Sequence, residues 1–208
     1  QDRRNGSVYA DKRDAMQEYI AAGMYKRILY DRTPTIGLAD VSASKDYNDK
    51  GKLYIKSKFL EGFKFLREKG AKEAVKGVEG FEKVIASCLF AGELDYHGEN
   101  LGVVDNKVVK IDHGRSGMYL FTNESSMRAS LLDKLVRFGY AGLPFNATTL
   151  KESVDEIVNI SEDEIEKIVA SRIDSLKKAG FKLEDAIQYL KDGKSSGLVT
   201  KKINSYEE

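Results

Sequence analysis

The stretch Asp95–Gly114, DYHGENLGVVDNKVVKIDHG, constrains the fold more than any other part of the chain. Its runs GVV and KVVKI alternate around Asp105-Asn106, two residue types that tolerate the left-handed backbone of a tight hairpin turn. A hairpin there brings the residues before its first strand beside the residues after its second. Asp95, His97 and Asn100 are thereby gathered on one side, and Asp112 and His113 on the other. Both histidines of the 208-residue chain fall within this one stretch.

The flanks mix helical and strand periodicities. In DKRDAMQEYIAAGMYKRILY, Met16, Ile20, Met24 and Ile28 form one helical stripe with Tyr19 and Leu29 beside it. Asp11 or Asp14 is the expected cap of that helix and Pro34 its terminator. TIGLADVSAS and KLYIKSKFL read as two strands joined by the turn-rich DYNDKG. EGFKFLREKG reads as a short helix stopping at Gly70, and VEGFEKVIASCLFAGEL as a longer helix leading into the hairpin stretch.

Beyond Gly117 the pattern is helical. ESSMRASLLDKLVRFG is one helix, GLPFNATT a loop, KESVDEIVNI a second helix and SEDEIEKIVASRIDSLKKAG a third, with Ser161 and Glu164 as a capping box. LEDAIQYLKDG closes the series ahead of a polar tail. The class is α+β, with a small strand-containing front, a helical back and the hairpin between them.

Composition narrows the function classes. Lys and Arg number 34 against 33 Asp and Glu, a net charge of +1, so the chain carries no global field for nucleic acid. No apolar run reaches the length of a membrane span and no secretory signal is visible, so no transmembrane segment is expected. The one cysteine, Cys88, sits in the apolar run VIASCLFAG, which excludes an internal disulfide and fits a buried thiol in a cytoplasmic-type reducing environment. Tyr and Phe recur at core spacing, and the Lys50–Lys58 run reads as a solvated hairpin. The chain opens on Gln, which marks it as a fragment or a trimmed chain.

Phosphoryl transfer from a nucleotide needs one carboxylate to orient or deprotonate the attacking hydroxyl. It also needs an amide and a second carboxylate to hold magnesium against the phosphates. Asp95, Asn100 and Asp112 are those types, and the hairpin brings them together. Magnesium prefers oxygen donors, so the Asn100–Asp112 pair suits it better than a histidine cluster.

The D-x-H-x-x-N pattern Asp95-Tyr96-His97-Gly98-Glu99-Asn100 resembles the catalytic loop of phosphoinositide kinases and related atypical kinases. Val108-Val109-Lys110-Ile111-Asp112-His113-Gly114 is similar to their metal-binding I-D-F-G segment, with His where Phe is usual. In organisation, residues 10–140 also resemble kinase-like effectors of intracellular bacterial pathogens, which implies secretion into a host cell. The resemblance implies a two-lobed protein-kinase-like fold. Residues 1–60 would be a partial, strand-containing N-lobe, and residues 61–208 a mainly helical C-lobe.

The resemblance also implies ATP and Mg2+ as cofactors, with Asp95 as base and His97 assisting proton transfer. Asn100 and Asp112 would bind magnesium. Glu18 would pair with the nucleotide lysine, and Phe59 and Leu60 would form the hinge that meets adenine. The implied acceptor is a lipid, an inositol phosphate or a protein, and a host protein is an implied partner.

The chain departs from the kinase pattern before its first helix. Kinases place a Gly-rich loop, three strands and the phosphate-binding lysine there, whereas only about ten residues precede this helix. Lys12 is too close to the helix start, so the lysine lies upstream of Gln1 or is absent. Only Arg115 and Arg128 are basic near the second motif. A catalytically inactive kinase-like module binding a partner protein is therefore an alternative. A metal-dependent hydrolase using Asp95, His97, Glu99, Asp112 and His113 is another, although no H-x3-H or C-x2-C pair supports it. His97 as a loop-bonding residue, Glu18 as a solvated helix residue and His113 as a packing residue are the simpler readings of each.

Overall fold

Two small antiparallel sheets and four helices are described. The structure is a computed structural model that describes residues 8–39, 54–66, 77–93, 98–114, 116 and 145–180, with side chains in the first helix from residue 15 onward. Helix α1 (Val8–Leu29) is followed by a 3-10 turn (Tyr30–Arg32) and strands β1 (Ile36–Leu38), β2 (Ile55–Ser57) and β3 (Lys64–Phe65). Helix α2 (Phe81–Phe90), strands β4 (Leu101–Val104) and β5 (Lys107–Lys110), and helices α3 (Ala147–Val158) and α4 (Glu162–Lys178) complete the order. One sheet is β1–β2 and the other β3–β4–β5, so the chain is α+β.

Helix α1 begins at Val8, which places Asp11 and Asp14 inside it and not at its cap. Asp11 still lies in the first turn, at the positive end of the helix dipole. The helix also stops before Pro34, because Tyr30 leaves the right-handed region with φ 53 and opens the 3-10 turn. Its apolar residues divide between two clusters. Met16, Tyr19 and Ala22 pack with Ile36 and Leu176, with Ile20 half-buried against them. Tyr25, Ile28 and Leu29 enter the larger core with Phe81, Val84, Ile85, Leu101 and Val108.

The β1–β2 pairing follows the sequence expectation, with Ile36 opposite Ser57 and Leu38 opposite Ile55. EGFKFLREKG does not form the expected helix over its described part. Lys64 and Phe65 instead pair with Val103 and Gly102 of β4. Gly62, at φ 73, breaks a helical path, and the alternation of Phe63 and Phe65 then suits a strand. Gly102 makes the pairing possible. A Cβ there would lie 2.3 Å from Cε2 of Phe63, so the aromatic ring occupies space that a side chain would need.

The β4–β5 hairpin has the expected turn, with Asp105 at φ 48 and Asn106 at φ 59 and Val103 opposite Val108. A short parallel bridge extends it: Glu79 donates its N–H to the Asn106 carbonyl at 2.8 Å and accepts from Val108 N–H at 2.9 Å. Helix α2 starts after Gly80, whose φ of 81 ends this bridge. The Arg32 guanidinium lies over Gly80, where a Cβ would sit 1.7 Å from Nη1. Cys88 is fully buried on α2, as its apolar neighbours imply.

Helix α3 begins earlier than the periodicity of KESVDEIVNI suggests, because the Asn146 side chain accepts from Thr148 N–H at 2.9 Å and Thr149 N–H at 3.2 Å. That cap converts part of the expected GLPFNATT loop into helix. Glu82 on α2 accepts from Asn146 N–H at 2.7 Å, and Lys83 bonds Glu156 at 2.8 Å, joining α2 to α3. Ser161 caps α4 by accepting from Glu164 N–H at 3.2 Å. The Glu164 carboxylate turns to Arg27 of α1, so only half of the capping box forms.

Helix α4 packs along α1 at Gly23, where a Cβ would lie 2.9 Å from Cγ2 of Ile168. Arg172 adds a hydrogen bond to the Ile36 carbonyl at 2.9 Å, and its guanidinium carbon lies 4.5 Å from the centre of the Tyr19 ring. The turn DYNDKG, the expected helices ESSMRASLLDKLVRFG and LEDAIQYLKDG, residues 67–70 and the polar tail lie outside the described residues. Among the described residues no helix is long and apolar enough to cross a membrane.

Candidate functional site at the open end of the hairpin

The hairpin aligns two of the sequence candidates at its open end. Leu101 pairs with Lys110, and Ile111 donates its N–H to the Asn100 carbonyl at 2.9 Å. Asn100 and Asp112 are therefore the residues on which the two strands diverge. Asn100 is buried, with 6% of its surface exposed. Asp112 adopts φ 56, a left-handed backbone uncommon for any residue but glycine and found most among Asn and Asp. Its Oδ1 accepts from Gly114 N–H at 3.3 Å.

Glu18 reaches this end from α1. Its carboxyl is pushed up from 4.5 to about 7, chiefly by burial and then by the neighbouring negative charge of Asp112. The Lys110 cation and a hydrogen bond from the His113 backbone N–H act in the opposite direction. Glu18 is half-buried. Phe59 is 80% exposed and Leu60 half-buried in the segment joining β2 to β3. Asp95 and His97 lie outside the described residues.

Beneath the diverging strands lies a buried polar network that none of the sequence motifs marks. Lys110 and Glu93, both fully buried, approach to 2.8 Å between Nζ and Oε1. Lys110 also donates to the carbonyl of Ile111 at 2.7 Å and to that of Asp112. The other oxygen of Glu93 accepts from the Tyr25 hydroxyl at 2.7 Å and from the Ser116 hydroxyl at 2.8 Å. Burial, above all, holds the Tyr25 phenol well above its ordinary range, which keeps it a donor. One signal in the sequence points here: a lysine in the apolar run VVKI occupies a strand position that alternation assigns to the interior.

His113 is fully buried and packs its ring 4.4 Å from that of Tyr25. Its Nε2 lies 2.9 Å from the Thr33 hydroxyl. Burial first, and the Lys110 cation second, hold its imidazole well below the ordinary histidine range, so the ring is neutral. Nδ1 has no hydrogen-bond partner among the described residues. The less costly tautomer places the proton on Nε2, facing Thr33, and leaves a bare lone pair at Nδ1. His113 is a packing residue, as its place in the motif suggests.

Among the described residues no group of three or more His, Cys, Asp or Glu side chains is placed to hold a metal ion. A magnesium site of the phosphotransfer type does not require one. It takes one or two protein oxygens and completes its shell with phosphate oxygens and water. An amide and a carboxylate at the end of one hairpin match that chemistry, and neither carries the nitrogen or sulfur donors that zinc selects.

The chain also resembles known proteins in sequence. An uncharacterized protein of Rickettsia conorii is 38% identical, over 83% of this chain and 27% of its own length. An uncharacterized protein of Rickettsia prowazekii is 36% identical, over 82% of this chain and 31% of its own length. The chain thus spans about a third or less of the curated relatives it matches. No solved structure matches it. The family model of the LepB N-terminal domain matches residues 44–207, a span that contains the hairpin, Asn100 and Asp112 and begins after Glu18. By that match the chain belongs to the LepB N-terminal domain family.

Proposed function

We propose that this chain carries the catalytic elements of an atypical, two-lobed kinase that moves the γ-phosphoryl group of ATP to a hydroxyl, with a phosphoinositide or inositol phosphate as acceptor class. The observation that supports this reading best is the convergence at the open end of the β4–β5 hairpin. Asn100 and Asp112 flank the divergence of the strands, and burial and then the charge of Asp112 push up the carboxyl of Glu18 from α1.

In this reading Asn100 and Asp112 hold magnesium, which neutralises charge on the phosphates when it is bound. Asp95 orients the acceptor hydroxyl and takes its proton as the oxygen bonds to the γ-phosphorus. The bond to the bridging oxygen of ADP breaks in the same displacement. His97 stabilises the charge that develops beside Asp95. The buried Lys110 holds the Asp112 carbonyl from behind. Residues 1–60 supply the N-lobe, with Phe59 and Leu60 at the hinge, where an exposed aromatic ring is available to adenine.

The test uses the whole protein. Mg-ATP should raise its melting temperature, since a ligand that binds only the folded state stabilises it by mass action. Labelled phosphate should pass from ATP to phosphatidylinositol vesicles, and Asp112→Ala should abolish that transfer. A melting shift without transfer to any inositol lipid would move the acceptor to another class. No shift with Mg-ATP would favour a catalytically inactive, partner-binding module. A shift with zinc or manganese alone would favour a hydrolase.

A further inference from the structure

A lysine and a glutamate sealed from solvent need a reason. Burying such a pair is costly, and apolar side chains of similar volume often serve the fold equally well or better. Stability alone therefore does not account for Lys110 and Glu93. Their places in the chain suggest what does. Glu93 lies two residues before Asp95, where α2 hands over to the first motif, and Lys110 lies two residues before Asp112, at the end of β5. Their contact at 2.8 Å is a cross-link between the end of α2 and the strand end that leads to the candidate metal ligand.

Each partner is also fixed on its far side. Lys110 donates to the carbonyls of Ile111 and Asp112, which belong to the peptides on either side of the left-handed residue. Glu93 is held by Tyr25 from α1 and by Ser116 from beyond the motif. With no water to compete, these bonds set the backbone of residues 111–112 against the end of α2.

We propose that Lys110 and Glu93 are positioning residues: together they hold Asp112 in its left-handed backbone and register its segment against the end of α2. This rests on the kinase reading for its functional consequence but not for its structural content. Groups that orient a metal ligand from behind typically change metal affinity when removed, while the ligand itself remains in place.

The experiment compares the whole protein with Lys110→Met, Glu93→Gln and the double variant Lys110→Met/Glu93→Met. Two readouts are taken well below the melting temperature. One is the Mg2+ concentration that half-saturates binding of the non-hydrolysable analogue AMP-PNP, measured by calorimetry. The other is amide hydrogen exchange at residues 111–114.

Lys110→Met and the double variant should raise the half-saturating Mg2+ concentration by about 10–100-fold. They should also accelerate exchange at Gly114, whose N–H is held by Asp112. Glu93→Gln, which keeps acceptors for Tyr25 and Ser116, should shift both readouts less. It alters almost no volume, so it carries the test if the methionine variants do not fold.

A double variant with unchanged Mg2+ dependence and unchanged exchange would overturn the proposal and reduce the pair to filling. If the unaltered protein binds no AMP-PNP at any Mg2+ concentration, the kinase reading fails. The exchange readout then decides the positioning role alone: faster exchange supports it and unchanged exchange removes it.

Discussion

The two sides of α1 differ in what they touch. Toward α4 the contacts are ordinary packing: Gly23 against Ile168, Tyr19 under Arg172 and an exposed pair between Arg27 and Glu164. Toward the hairpin the same helix offers Glu18 and Tyr25 to Asp112, Lys110, Glu93 and His113, groups that are costly to bury. The first side is what two helices need in order to stay together. The second is more than any helix needs, and a fold retains such groups where their geometry matters to something besides folding. The helix is thus a bar with a structural face and, on the proposed kinase reading, a working face, and substitutions should separate the two.

The sharpest separation should come from Asp112. On the proposed kinase reading, Asp112→Ala should abolish measurable phosphotransfer, a loss on the order of a thousandfold, typical of a group that stabilises developing charge. Its melting temperature should stay within a few degrees of the original, as melting curves beside a transfer assay would establish. A protein that lost fold and activity together would erase the distinction between the faces.

The structural face should respond in the opposite sense. Gly23→Leu places a branched side chain where Cγ2 of Ile168 already stands 2.9 Å from the position of a Cβ. Overpacking of that kind should lower the melting temperature by about 3–10 °C in a chain of this size. Calorimetry or circular dichroism would measure it, and a variant as stable as the original would mean that α4 does not set the position of α1.

Smaller, and diagnostic by its pH dependence, is Glu18→Gln. The Glu18 carboxyl titrates near 4.5 in the unfolded chain and at about 7 in the fold, so the folded state disfavours its charge. Below pH 4.5 both states hold the proton, and the glutamine variant should melt with the original. As pH rises from 4.5 through 7, the original loses stability relative to the variant, and above 7 the gap should level off with the variant about 3–6 °C higher, roughly half the unscreened shift because the half-buried carboxyl keeps some access to water. Melting curves in metal-free buffer from pH 4 to 8.5 would reveal the crossover. A gap independent of pH would remove Glu18 from the working face.

The smallest effect belongs to Arg27→Ala. The guanidinium and the Glu164 carboxylate are both partly exposed, so the change should shift melting by about a degree, less in high salt. A larger loss would show that the α4 contact depends on charge and not on the close packing at Gly23.

Local rules made much of the working face legible. Asp105-Asn106 between valine runs allows little but a hairpin, and a hairpin places Asn100 and Asp112 together whatever surrounds them. Glu18 came into view only through the resemblance to kinases, because it lies off the helical stripe of Met16, Ile20, Met24 and Ile28. The Lys110–Glu93 contact was not legible, since it depends on where α2 ends relative to β5, a tertiary fact without a local period. The helix expected over EGFKFLREKG failed for a related reason. Phe63 and Phe65 fit either period on a short run, and the choice was made by Gly102, far along the chain, which leaves room for the Phe63 ring. The early start of α3 was readable in principle from Asn146, a strong capping residue that the loop-like GLPFNATT obscured.

Cys88 adds a practical handle. It is the chain's one thiol, fully buried on the helix that leads into the first motif. A thiol reagent can meet it only when that helix leaves its neighbours. The labelling rate of the native protein is therefore an intrinsic clock for opening of the helix that precedes the hairpin. Any ligand that settles on the open end of the hairpin should slow that clock, even if the ligand itself is never seen.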